Sequence, residues 1–187
     1  MLKPIQMTLA LPFVLLGCFC CNVQAQFPAP EPTEAHEILA AEAGTWDCKV
    51  KMFLAGPDQP PAEFTGVENN SLVNGGLHLK VDFQGEFNGK FEGSGLFGFN
   101  PKMNKYEGIW GDSSTMAPNM MTGTYDKEKK TLTYTSRVQD EVGNEIPQRQ
   151  VTTFIDEKTK KMELFVLSKE NGEVQTIKIM EMMSTKR

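Results

Sequence analysis

The side chains of this sequence able to ligate a metal or carry a reaction are two histidines, four cysteines, a group of methionines and scattered carboxylates. Cys48 could serve as a nucleophile, but a reactive thiol needs a neighbouring base or cation to lower its pKa, and its period-two neighbours are Trp46 and Val50. It reads as a small buried hydrophobe. His78 has the imidazole that haem and transition metals favour. Its only possible histidine partner, His36, falls in a separate helical segment, and His78 shares a face with Lys80 and Asp82. Met116, Met120 and Met121 offer thioethers suited to Cu(I), yet strand alternation sends Met120 and Met121 to opposite faces. Met180, Met182 and Met183 read as packing in the last strand. Asp112, Asp140 and Glu141 fall near one end of the fold derived below, but spacing does not fix the separation of two carboxyls, so no acid or base is assigned. Phosphate-loop and Gly-x-Ser-x-Gly signatures are missing. No catalytic residue, no metal ligand and no cofactor is expected.

Eight of the 16 lysines, Lys102, Lys105, Lys127, Lys129, Lys130, Lys158, Lys160 and Lys161, fall in or beside three turns. A basic end of this kind could approach anionic lipid headgroups. Asp126, Glu128, Asp156 and Glu157 lie among them and dilute the field, so the lysines read as solvated hairpin tips. The formal net charge of −5 leaves no general basic surface for nucleic acid. The 187 residues, 40% hydrophobic and 23% charged, have a globular composition that suits one domain.

Residues 1–25 stand apart: Lys3 precedes an apolar run from Met7 to Leu16, the pattern of a signal peptide, and too short for a mature membrane span. Two processing routes are open. Val23-Gln24-Ala25 suits cleavage before Gln26, whereas Leu15-Leu16-Gly17-Cys18 suits lipoprotein processing with Cys18 as the acylated first residue. Either exports the protein, to the periplasm, to the outside, or to the cell envelope on a lipid anchor. Cleavage after Ala25 leaves 18 basic against 24 acidic residues, net −6, with Cys48 as the sole cysteine and no internal disulfide. Pro28, Pro30 and Pro32 mark residues 26–32 as an extended linker.

The domain proper, 33–187, opens with a short helix capped by Thr33 and stopped by Gly44. From Trp46 the hydrophobic period becomes two, giving ten strands at about 45 to 54, 63 to 73, 77 to 86, 91 to 99, 105 to 112, 119 to 125, 131 to 138, 149 to 155, 161 to 168 and 174 to 183. In the fourth, Phe91, Gly93, Gly95, Phe97 and Phe99 share a face, and the glycines leave room for a ring to lie across the backbone. Asn74-Gly75, Asn88-Gly89 and Asn171-Gly172 are hairpin turns. A meander with one apolar face hides that face, and loses its edges, by closing into an all-β, up-and-down antiparallel barrel. Connectors then alternate between two ends. The tight links after strands 2, 4, 6 and 8, and the helix, gather at one pole, which is closed. The longer links, 55–62, 113–118 and 139–148, gather at the other, which is the mouth.

Gly44-Thr45-Trp46 after a short helix resembles the Gly-x-Trp start of lipocalin-like barrels. More specifically, Gly44 to Arg187 is similar to an uncharacterised family of bacterial exported domains of unknown function. That likeness rests on Gly75-Gly76, on Phe91, Gly93, Gly95, Gly98 and Phe99, on Tyr106, Gly108 and Trp110, and on Gly123 to Asp126. The resemblance implies a lipocalin-like fold with Trp46 packed at the closed end under a basic residue of the last strand, Lys186 or Arg187. It implies no activity.

The mouth of a ten-stranded barrel is a natural ligand entrance. The expected function is therefore binding of a small apolar or amphipathic molecule, lined by Val50, Met52, Leu79, Val81, Phe97, Tyr106, Trp110 and Tyr134. A ligand-free, envelope-anchored interaction module is the second reading. A barrel enzyme is the third, and it needs buried polar groups that the apolar stripes offer sparingly.

Overall fold

The computed structural model of the chain describes residues 29–54, 56, 59–139, 142–170 and 173–187. The expected signal peptide with Cys18, Cys20 and Cys21, linker residues 26–28, the acids Asp140 and Glu141 and the Asn171-Gly172 turn lie outside them. Residues Glu31–Arg187 form one compact unit. Its elements are α1 (Glu34–Glu42), β1 (Gly44–Met52), β2 (Ala62–Val73), a 3-10 turn (Asn74–Gly76), β3 (His78–Glu86), β4 (Lys90–Asn100), β5 (Lys105–Asp112), β6 (Asn119–Asp126), β7 (Thr131–Gln139), β8 (Glu145–Asp156), β9 (Thr159–Glu170) and β10 (Glu173–Lys186).

The strands form a closed antiparallel barrel in chain order, with β1 pairing β10 from Trp46 opposite Lys186 to Met52 opposite Met180. Closure leaves no unpaired strand edge. Alternation decides the faces: Trp46, Cys48 and Val50 are buried while Asp47, Lys49 and Lys51 are exposed. Propagating the register around the ring turns Phe64, Glu68 and Asn70 of β2, Leu79, Val81 and Phe83 of β3, and Phe97 of β4 inward.

The inward glycines are seats for aromatic rings. A Cβ at Gly93 would lie 2.2 Å from Trp110, one at Gly108 2.2 Å from Phe97, and one at Gly66 2.3 Å from Phe83. Gly44, where the helix turns into β1, has φ +128, and a Cβ there would meet Lys186 Cε at 2.6 Å.

Helix α1 lies across one end of the barrel. Leu39, 1% exposed, joins the core of Leu79, Val81, Phe97, Tyr106, Leu132 and Tyr134, and Tyr106 donates to the Ala35 carbonyl at 2.9 Å. His36 accepts the Thr33 N–H on Nδ1 at 3.0 Å and meets Phe99 edge-on. It is thus a capping and packing residue. The β2–β3, β4–β5, β6–β7 and β8–β9 turns share this end with α1: Glu34 pairs with Lys127, and Lys186 N–H donates to the Lys158 carbonyl at 2.8 Å.

Among the element boundaries that differ from the expected ones, two change what the interior holds. Strand β8 begins at Glu145 rather than 149, because Gln148 and Gln150 occupy its inner face and no hydrophobic alternation marks them. Strand β9 begins at Thr159, which draws Lys160 out of its turn and onto the inner face opposite Phe154 and Ser184.

Candidate functional site

The barrel interior divides into a sealed floor and an open cup. At the floor, Lys160 is 3% exposed and sits 2.8 Å from Glu42 Oε2 and 2.7 Å from Glu68 Oε1, with its Nζ 4.7 Å from the centre of the Trp46 ring. Asn70 donates to the Glu42 carbonyl at 3.1 Å and also to Glu68 Oε1. Trp46 Nε1 donates to the same Glu42 carbonyl at 2.8 Å. Burial pulls the Lys160 pKa down, but the charges of Glu42 and Glu68 and their hydrogen bonds more than offset it, so the ammonium is held above its ordinary value. A lysine held protonated in this way is a brace and not a nucleophile. It ties α1, β2 and β9 together, and it corrects the expectation that this lysine is a solvated hairpin tip.

Other floor groups are equally unreactive. Burial raises the Cys48 thiol to about 11, against the lowering effect of its contact with Ser184 Oγ at 3.4 Å. Burial also raises Tyr106 to about 12, and it holds Tyr134 well above its ordinary value, aided by Glu42 and then Tyr106. Trp46, 1% exposed, has Lys186 Nζ 5.1 Å from its ring centre. Arg187 turns outward and binds Asp47 with both Nε and Nη2.

Above this floor the inward side chains are no longer sealed. Phe64, Phe91, Trp110, Asn119, Ser136, Gln148, Gln150, Leu164, Val166 and Met180 all point inward by register, yet each keeps partial exposure. Inward groups of a filled core would be dry, so solvent enters the barrel from this side. The described parts of the β1–β2, β5–β6 and β7–β8 connectors, 53–54, 56, 59–61, 113–118 and 142–144, lie at this end. On the β6–β8 wall, Asn119 Nδ2 donates to Ser136 Oγ at 3.0 Å, while Asn119 Oδ1 is buried with no partner in the protein. Asp112 lies at the rim, its Oδ2 accepting Trp110 Nε1 and its Oδ1 accepting the Ser114 N–H, both at 2.9 Å.

All eight expected lining residues face inward, and the structure distributes them by depth. Leu79, Val81, Phe97, Tyr106 and Tyr134 pack with Leu39 under the helix. Val50 is buried with Trp46, Cys48 and Phe83, while Met52 and Trp110 border the cup. Sequence reasoning missed Glu68, Asn70 and Lys160 at the floor and Asn119, Ser136, Gln148 and Gln150 in the cup. Their one usable signal was the two-residue spacing that links them to apolar partners on the same strand. His78 lies on the outer face, over Gly98 and 3.3 Å from Asn74 Nδ2. Met116 and Met120 are exposed whereas Met121 is buried. Among the described residues no three His, Cys, Asp or Glu side chains converge as metal ligands.

A separate shallow concavity of about 1060 Å³ lies outside the barrel, between the outer face of β3–β5 and the 113–118 loop. Its lining mixes Lys80, Asp82, Gln84 and Glu92 with Leu96 and Ile109. It is open to solvent on the outer face of the sheet, whereas the cup is enclosed by the inner faces of the strands, so the cup is the better candidate site.

The helix-plugged, ten-stranded meander is a lipocalin-like barrel. The chain belongs to a family described as "Protein of unknown function (DUF1579)", whose model matches residues 31–186. Among solved structures, it is similar to the S-type phycobiliprotein lyase CPES from Guillardia theta, with TM-score 0.58 and 10% identity over 83% of this chain and 93% of that one. It is also similar to Rv2717c from M. tuberculosis, with TM-score 0.59 and 13% identity over 84% of this chain and 99% of that one. At such identities the likeness is one of fold. Among curated proteins, none matches the chain in sequence.

Proposed function

We propose that this chain is an exported binding protein that takes a small apolar or amphipathic molecule into its barrel through the open end. The observation that carries the reading is the contrast in burial along one continuous inner face: dry beneath α1, part-exposed above it. A barrel whose purpose was structural alone would gain by filling the upper half with side chains, since each buried large apolar residue contributes about 1.5–3 kcal/mol. Of the residues expected to line the site, Met52 and Trp110 meet the ligand, joined by Phe64, Met180 and the β6–β8 polar wall, while the deeper ones form the floor on which it rests. The lipocalin-like neighbours support the reading only through their fold.

The test is native mass spectrometry with solvent extraction of the purified protein, backed by titration with the uncharged dye Nile red. A reproducible co-purifying mass, or dye uptake displaced by it, is the expected result. A bare polypeptide that takes up no dye contradicts the proposal. Export rests on Lys3 and the Met7–Leu16 run, and palmitate labelling beside a Cys18→Ser control distinguishes a lipid anchor from cleavage after Ala25. A surface role in the envelope has one observation of its own: Leu96, Ile109 and Met120 are cross-strand neighbours on the outer face, and all three are exposed.

A further inference from the structure

The chemistry of the cup wall narrows the class of molecule it accepts, an inference that rests on the binding function proposed above. In the ring order, β6–β8 stand across the barrel from β1–β3. The β1–β3 wall presents Met52, Phe64 and Phe83, all apolar, whereas the β6–β8 wall presents Asn119, Ser136, Gln148 and Gln150, with Val138 and Ile146 nearer the rim. Among the described inward side chains of the open half, the one charge is Asp112, and Trp110 Nε1 and the Ser114 N–H already hold it. Among the described residues the open half therefore presents no cation to neutralise a carboxylate and no free anion to receive an ammonium, and an unpaired charge is expensive to bury.

The wall also has a polarity of its own. Asn119 spends its amide N–H on Ser136, and its Oδ1 is a buried acceptor with no donor. A buried acceptor left unsatisfied is costly, and a ligand whose N–H or O–H reaches it once the Asn119 side chain turns toward the cup removes that cost. We propose that the cup selects an uncharged amphiphile whose polar group is a hydrogen-bond donor, an alcohol or an amide, laid against the β6–β8 wall with its hydrocarbon against β1–β3.

The experiment compares 1-decanol, decanamide, methyl decanoate, decanoate and decylammonium, chains of one length and different heads, by calorimetry and by displacement of Nile red. The expected order is the alcohol and the amide about tenfold tighter than the ester, which has no donor, and tighter still than either ion. In Asn119→Leu the advantage of alcohol over ester disappears. In Gln150→Lys, an inward ammonium raises decanoate affinity at least tenfold. Far-ultraviolet circular dichroism of each variant verifies the barrel, and the wild-type order alone suffices if either variant fails to fold. Decanoate binding as tightly as decanol to the wild type overturns the selectivity while leaving a ligand-binding cup. No probe binding at all overturns both.

Discussion

Removing Lys160 leaves Glu42 and Glu68 buried beside each other without a cation, and breaking a buried ion pair from one side costs about 3–5 kcal/mol. Urea unfolding of Lys160→Met should show a loss of that size, and Lys160→Met/Glu42→Gln/Glu68→Gln should regain most of it. An unchanged midpoint in the single variant rules out the brace. The buried acids of the floor also set an alkaline limit. Cys48 is held protonated from its ordinary 9.0 up to about 11, and Tyr106 from 10.0 up to about 12. The unfolded chain releases these protons first, so their stabilisation is complete below pH 9 and is lost as pH rises through 11 to 12. The Cys48 share is about 2–3 kcal/mol. Stability measured from pH 7 to 12 should be flat to 9 and then fall, and Cys48→Ala should flatten the slope between 9 and 11. At this scale the sequence was legible for Cys48, whose neighbours at two-residue spacing are apolar. It was misleading for Lys160, since a lysine in a run of turn lysines looks solvated until the register, one residue either way, decides its face.

Among the inward glycines of β4 and β5, Gly93 and Gly108 are each matched to a ring on the neighbouring strand and Gly95 to Phe97 of its own, so the strands and their aromatics form one packed unit. Gly93→Ala and Gly108→Ala force a Cβ to within 2.2 Å of the Trp110 and Phe97 rings, and overpacking of this kind costs about 1–3 kcal/mol or more. Gly111→Ala, on the same β5 strand with nothing within 4 Å of its Cβ, should change stability by under about 0.5 kcal/mol. Equal effects at all three positions contradict the ring-seat account. In α1, Leu39→Ala removes the side chain that plugs the floor and should cost about 2–5 kcal/mol by thermal or urea unfolding. The strands were readable wherever one face is apolar and the other wet, as in β1 and β3. Strand β8 was shortened in the reading because Gln148 and Gln150 occupy its inner face and Arg149 its outer face, beside Phe165 and 5.0 Å from its ring centre, so its N-terminal half gives no period-two signal. That amide face is the wall of the cup. The part of the site that determines ligand chemistry was therefore the part hydropathy could not find.

For the whole molecule, chain parity separates two poles. An up-and-down barrel sends alternate connectors to opposite ends, so a single helix preceding β1 can seal one pole while the longer connectors border the other. The poles were legible from connector lengths and turn residues, since both are local properties of the chain. The depth at which the interior stops being packed was not, because it depends on how ten inner faces meet across the axis. The direct measurement is a chemical-shift map of isotopically labelled protein titrated with 1-decanol. A ligand in the cup should shift Trp110, Gln148, Gln150, Leu164 and Met180 and leave Leu39 and Trp46 unmoved. Shifts centred instead on Lys80, Glu92 and Ile109 at the outer concavity, or none anywhere, would contradict that placement.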